Sequence, residues 1–318
     1  MGMRAEEILS LFPEESRERW REVAKQAKRL QEIRLRADMP LAVLVDSREC
    51  FVDAQGMLVD RPEEAARPAP EELEHMLRHL CRYSVYAFAD EIRQGFLTVQ
   101  GGHRVGLAGQ VVLDEDGRIK NMKYIRYLNI RIAHQIRGAA DALMPYLFEK
   151  GRVLSTLLIS PPCGGKTTML RDIIRQVSDG TVYGPGVNVS VVDERSEIAG
   201  SYLGVAQNDV GIRTDVLDGC PKVEGMMQLI RSMAPRVLAV DEVGSLADVQ
   251  ALQMAGGCGC KLLATIHGGS MEEVKQKNYM RYVMEQRLFE RYVMLDRSQG
   301  ACRIVEIYDR EGKSCTRS

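Results

Sequence analysis

Residues 156–174 read TLLISPPCGGKTTMLRDII, and the fold turns on how they are parsed. The apolar run ending at Ile159 predicts a buried strand, Gly164 and Gly165 predict a turn, and Met169, Leu170, Ile173 and Ile174 repeat with the period of a helix that starts at Lys166. A strand, a glycine turn, a Lys-Thr pair and a helix in that order read as a P-loop. The amides of Cys163 through Thr167 fall at a helix N-terminus, where unpaired N–H groups and the helix dipole favour phosphate. Lys166 adds a compensating charge, the Thr167 hydroxyl is suited to ligate Mg²⁺, and Thr168 is suited to donate to the inner phosphates. The expected ATP-binding set is therefore Ser160, Pro161, Pro162, Cys163, Gly164, Gly165, Lys166, Thr167 and Thr168. Ser160 stands where the pattern has its first glycine, and it is expected to tune affinity.

Downstream, RVLAVDEVG (residues 236–244) is an apolar strand that ends in adjacent acids, which in a P-loop protein is a Walker B segment. Asp241 is expected to orient the Mg²⁺ hydration shell and Glu242 to polarise the attacking water. Two more strand ends fit the same sheet edge: VSVVDERSEIAG (189–200) presents Asp193, Glu194 and Arg195, and KLLATIHGG (261–269) presents Thr265 and His267. Ligands of open α/β sheets bind outside the carboxyl ends of the strands, so Glu194 and His267 are expected to face the phosphates. The competing readings are a surface ion-pairing loop for the first and a turn before a helix for the second.

The rest of the chain has the composition of an ordinary soluble globular protein. Its 318 residues suffice for about two domains, and 45% apolar with 27% charged content excludes a disordered or collagenous chain. With 43 Lys plus Arg against 44 Asp plus Glu, the net charge of -1 gives no overall attraction to nucleic acid or anionic lipid. No apolar run approaches the roughly 20 residues that span a bilayer, and MGMRAEEILS lacks a signal-peptide core, so a cytoplasmic location is expected. The 8 cysteines show no disulfide spacing. Cys258 and Cys260 with His267 lack a fourth metal ligand, and a glycine-rich turn before a strand accounts for them better.

From residue 139 a helix (Ala139 to Lys150), a strand (Ser155 to Ser160) and a helix (Lys166 to Val177) are expected, with further strands at Asn188 to Asp193, Arg236 to Asp241 and Lys261 to Ile266. That alternation predicts an α/β domain of the P-loop NTPase class, RecA-like or AAA+-type, with a mostly parallel sheet over residues 135–318. Residues 1–134 are expected to form a smaller accessory α/β domain. Its elements are a charged helix at Glu14 to Leu30, strands at Glu32 to Arg36 and Leu41 to Val45, and an amphipathic helix at Glu71 to Arg82. A β-meander comes next, in GFLTVQGGHRVGLAGQVVLDEDGRIKN (95–121).

The order of P-loop, acidic strand end, Walker B segment and His-bearing strand end resembles the type II and type IV secretion ATPases and their pilus-motor relatives. NMKYIRYLNIRIA (121–133), VVDERSEIAG (191–200) and GIRTDVLDGCPKVEGMMQLIRSMAPRVLAVDEVG (211–244) are more closely similar to the stage III sporulation protein AA family. The resemblance puts Glu194 at an acidic box and His267 at a His box. It departs from the secretion ATPases in keeping Asp241, where those often have glycine, so Glu194 and Glu242 both stand as candidates to activate water. It implies a hexameric cytoplasmic ATPase, peripheral to the membrane, acting with membrane components of a channel between mother cell and forespore.

Such rings complete each site with an arginine from the neighbouring subunit, and the negative charge gathered at the γ-phosphate calls for one. Arg131 is the first candidate because it lies between the two expected domains; Arg213 and Arg195 come after it. The alternative class is a nucleic-acid motor, prompted by RYVMEQRLFERYVMLDR (281–297), where arginines interleave with aromatics. Glu285, Glu290 and Asp296 dilute that charge, and an amphipathic helix running into a strand explains the segment better, so nucleic acid is not favoured. A nucleotide switch that scaffolds an assembly is the third reading.

Overall fold

Burial on both faces is what distinguishes the strands around the glycine turn. In the computed structural model, which describes residues 3–162, 164–296 and 302–315, every residue of Thr156–Ser160, Val189–Asp193 and Val237–Val240 is buried. Fully buried strands belong to parallel sheets covered by helices on both sides. Cys163 and Arg297 lie outside the described residues.

The chain divides into two compact units, Met1–His134 and Gln135–Ser318. The first contains helices α1 (Met3–Ser10), α2 (Arg17–Lys25), α3 (Pro70–Leu80) and α4 (Ala89–Gln94). Its strands are β1 (Leu30–Arg36), β2 (Ala42–Val45), β3 (Arg48–Val52), β4 (Leu58–Val59), β5 (Phe96–Val99), β6 (His103–Leu113) and β7 (Ile119–Arg131), in the order β4-β3-β2-β1-β7-β6-β5. All its pairings are antiparallel. The meander is present, turning at Gly101-Gly102 and at Gly117, all with positive φ. The charged helix is shorter than expected: it stops at Lys25, and the chain is already a strand at Leu30, where burial of Leu30 and Ile33 takes over.

In the second unit the strands are β8 (Phe148–Glu149), β9 (Arg152–Val153), β10 (Thr156–Ser160), β11 (Gly180–Thr181), β12 (Gly184–Pro185), β13 (Val189–Asp193), β14 (Thr214–Asp218), β15 (Val237–Val240), β16 (Lys261–His267), β17 (Arg291–Asp296) and β18 (Arg303–Asp309). The helices are α5 (Lys166–Asp179), α6 (Lys222–Met233), α7 (Leu246–Gly257), α8 (Met271–Gln276) and α9 (Asn278–Glu285). The main sheet has the order β14-β13-β15-β16-β10-β17-β18, parallel except for the β17–β18 edge pair.

Side chains alternate across this sheet. Leu158, Val191, Ala239 and Leu263 face the Met169, Leu170, Ile173, Ile174 and Val177 stripe of α5. Leu157, Ile159, Val240 and Ala264 face the opposite core, made by α6, α7, α8 and α9. Burying each large apolar side chain contributes about 1.5–3 kcal/mol, so the two layers fix where the strand ends emerge.

One expected element is replaced. Residues 139–150 form no α-helix; Met144–Tyr146 is a single 3₁₀ turn and β8 begins at Phe148. Pro145 lacks an N–H and disfavours helical backbone before it. The fragment is instead held by α5, whose Asp172 accepts the Ala140 N–H at 2.9 Å. No described helix is long and apolar enough to cross a membrane.

Candidate functional site

The main sheet brings four sequence signals to one edge through its register. β16 lies between β10 and β15, with Ser160 opposite His267 and Val240 opposite Ala264. Thr265 is therefore level with Asp241, the residue immediately after β15. On the other side of β15, Val192 pairs with Val240, so Asp193 lies beside Asp241.

The turn from β10 into α5 is tight at its two glycines. A Cβ on Gly164 would sit 1.7 Å from Ser160 Oγ, and Gly165, at φ 88°, caps α5 in a conformation that favours glycine. Lys166 is only 7% exposed. Its ammonium donates to the carbonyls of Ser160 at 3.5 Å and Pro161 at 3.4 Å, and to His267 Nδ1 at 2.9 Å. Because Nδ1 accepts, the imidazole proton belongs on Nε2, which faces Glu242 Oε1 at 3.0 Å. The other Glu242 oxygen accepts from Arg195 Nη1 at 2.9 Å. Lys166, His267, Glu242 and Arg195 thus form one continuous polar chain. Thr168 is half-buried beside them, whereas Pro162 is exposed.

Asp241 is held by hydroxyls. Thr167 Oγ1 donates to its Oδ2 at 2.7 Å and Thr265 Oγ1 donates to its Oδ1. Asp193 is occupied differently: 2% exposed, it accepts the N–H groups of Glu197, Ile198 and Ala199 at 2.8, 3.0 and 2.8 Å. Burial pushes its pKa up, the nearby Asp241 adds to the rise, and the three amides oppose it.

Glu194 is exposed and paired with Lys222 at the start of α6, and it lines one small hollow with Asp193, Arg195, Asp241 and Glu242. Arg213 is at the far end of α5, donating to the carbonyls of Ser178 at 2.9 Å and Asp179 at 3.4 Å. A helix of 14 residues puts that end about 20 Å from the glycine turn. Arg131 ends β7 in the first unit, exposed and 4.0 Å from Glu32. Cys258 is exposed, while Cys260 is buried with its thiol donating to the Pro235 carbonyl at 3.2 Å. A hollow beside Ser155, Lys261 and Glu290, at the amino ends of β10 and β16, contains neither the glycine turn nor Asp241 and Glu242.

Sequence reasoning misses two residues near the site. Arg171 lies four positions after Thr167, which puts both on one face of α5, and it donates to the carbonyls of Ile198 and Glu197, each at 2.6 Å. Burial lowers its pKa, and Asp193, Asp241 and Glu197 oppose that shift. Lys222 carries no local signal; its pairing depends on how α6 packs beside β13.

A buried parallel sheet with a glycine turn, lysine and acids at its carboxyl edge defines an α/β protein with the fold of the secretion and pilus-motor ATPases. The ATPase DotB of Yersinia pseudotuberculosis aligns at a TM-score of 0.58 and 13% identity, covering 95% of this chain and 81% of that one. The pilus retraction motor PilT, solved with bound ADP, aligns at 0.56 and 15% identity, covering 90% and 81%. The particular family is closer than these. The chain belongs to the family of sporulation stage III protein AA, whose pattern matches residues 2–315. Stage III sporulation protein AA of Bacillus subtilis (strain 168) is 37% identical over 313 residues, which cover 98% of this chain and 97% of that protein.

Proposed function

We propose that the chain is a Mg²⁺-dependent P-loop ATPase of RecA-like type that powers or assembles a secretion-like channel between mother cell and forespore, working as a ring at the cytoplasmic side of the membrane. The observation that carries this reading is the convergence of Lys166, Thr167 and Asp241 at the N-terminus of α5. The residues fit the nucleotide: the Gly164-Gly165 turn is a cradle that a Cβ would fill, and a buried ammonium waits beside it. They also fit Mg²⁺, a hard ion that takes hydroxyl and carboxylate oxygens and few protein ligands. Thr167 and Asp241 would hold it, and when bound it supplies neutralising charge at the phosphate oxygens.

The remaining steps fall to the chain itself. Lys166 exchanges two carbonyls and His267 for phosphate oxygens. Glu242, held from both sides by Arg195 and His267, is the base that accepts a proton from water. Glu194, tied to Lys222, links the nucleotide edge to α6 rather than acting on water. Arg131 of a neighbouring subunit would complete the site, and residues 1–134 serve as the accessory domain that presents it.

The test is ATP hydrolysis and fluorescent-nucleotide binding. Lys166→Ala is expected to lose both, and near-normal turnover by the folded variant would overturn the reading. Arg131→Ala is expected to keep binding and lose turnover, with partial recovery when it is mixed with Lys166→Ala. No recovery on mixing would assign the site to one subunit.

A further inference from the structure

Asp241 and Glu242 are adjacent in sequence, yet in this structure they answer to one buried hydroxyl on another strand. Thr265 is 0% exposed in β16. A hydroxyl has one proton and two lone pairs. Here the proton goes to Asp241 Oδ1, and a lone pair accepts the Glu242 N–H at 2.8 Å. The Thr265 carbonyl accepts the next amide, that of Val243, also at 2.8 Å. Three consecutive residues are thereby pinned by one.

The pinning has a conformational counterpart. Glu242 has φ 55°, the left-handed region that a residue with a Cβ seldom occupies. That turn sends its carboxylate to Arg195 and His267. Without an acceptor for its N–H, the backbone of residue 242 has less reason to stay there. The β-branch of threonine narrows χ1 and keeps the hydroxyl aimed at the strand end. Serine preserves both hydrogen bonds with more rotational freedom, whereas valine keeps the shape and neither bond.

We propose that Thr265 is a positioning residue that sets Asp241 for the metal and Glu242 for water through a single hydroxyl. The proposal rests on the ATPase reading for its consequence, though not for its geometry. It gives the sheet order a purpose: with β16 between β10 and β15, the strand that carries His267 also carries the group that aims its partner, Glu242.

The experiment compares Thr265→Val and Thr265→Ser with the parent chain by two readouts. The first is amide hydrogen exchange of residues 240–244 without nucleotide. Thr265→Val is expected to lose at least about tenfold protection at the Glu242 amide, and Thr265→Ser to keep most of it. The second is hydrolysis against Mg²⁺ concentration, with fluorescent-nucleotide binding measured in EDTA. Thr265→Val is expected to lower kcat by about thirtyfold and raise the Mg²⁺ requirement by about tenfold, while binding in EDTA stays within about twofold and Thr265→Ser recovers most of kcat. Unchanged exchange in Thr265→Val overturns the positioning role, as does loss of kcat that is equal in the two variants. If the parent chain itself neither binds nor hydrolyses ATP, the ATPase reading fails, and the exchange result alone decides whether Thr265 pins the turn.

Discussion

Val192-Asp193-Glu194 and Val240-Asp241-Glu242 are the same three residues, side by side in register at the carboxyl ends of adjacent parallel strands. They are used in opposite ways. After Asp193 the chain curls back, and three amides of residues 197–199 close on its carboxylate, which becomes the anchor of a loop. After Asp241 the chain turns through the left-handed Glu242 and Val243 bonds to β16, and among the described residues the hydrogen bonds to the Asp241 carboxylate come from side-chain hydroxyls. An acid saturated by backbone amides is committed to structure. One held by hydroxyls on separate elements can trade them for a metal ion. The segment after each tripeptide, RSEIAG in one case and VGSLAD in the other, decides which it becomes.

Three substitutions probe this contrast. The largest effect is expected from Asp193→Ala, which leaves three amides without their acceptor; at roughly 1 kcal/mol or more for each, about 3 kcal/mol of stability should be lost. The urea midpoint measures it, and an unchanged midpoint would mean that the loop stands without its anchor. Next, Glu242→Gln should leave the urea midpoint and nucleotide binding intact and slow turnover about a hundredfold, equivalent to about 2.7 kcal/mol in the barrier. The smallest effect is expected from Glu194→Gln, within about threefold in steady-state turnover, because its carboxylate is spent on Lys222. A larger loss from Glu194→Gln than from Glu242→Gln would exchange the two roles.

How far the sequence carries depends on whether a feature is local. Strand β10, the turn and α5 are legible because one continuous segment sets both hydrophobic periods and the glycines between them. β13, β15 and β16 are legible as short apolar runs. β14 and β18 are not: the first is half-buried throughout and the second alternates weakly at an antiparallel edge, so neither stands out. The helix expected over 139–150 shows that apolar spacing does not survive Pro145. At the site, the proximity of Thr167 to Asp241 is implied by motif order. The pairing of Arg195 with Glu242, or of Lys222 with Glu194, depends on loops and on helix placement, and no spacing in the chain encodes it. Arg213 shows the same limit from the other side, since a promising arginine is taken up by helix carbonyls.

Ser160 and Gly164 share one volume. The hydroxyl of the first fills the space into which a Cβ of the second would project, with the Pro161 carbonyl only 2.9 Å from that same point. The two positions are therefore sterically coupled. A side chain at 164 requires the Ser160 hydroxyl to leave this position, either by rotation about χ1 or by substitution of residue 160. Ser160→Gly would remove the nearer obstruction and leave the carbonyl, so even then only the smallest addition at 164 has a path. The fixed Pro161 carbonyl, rather than the rotatable hydroxyl, thus sets the final limit on what residue 164 can carry.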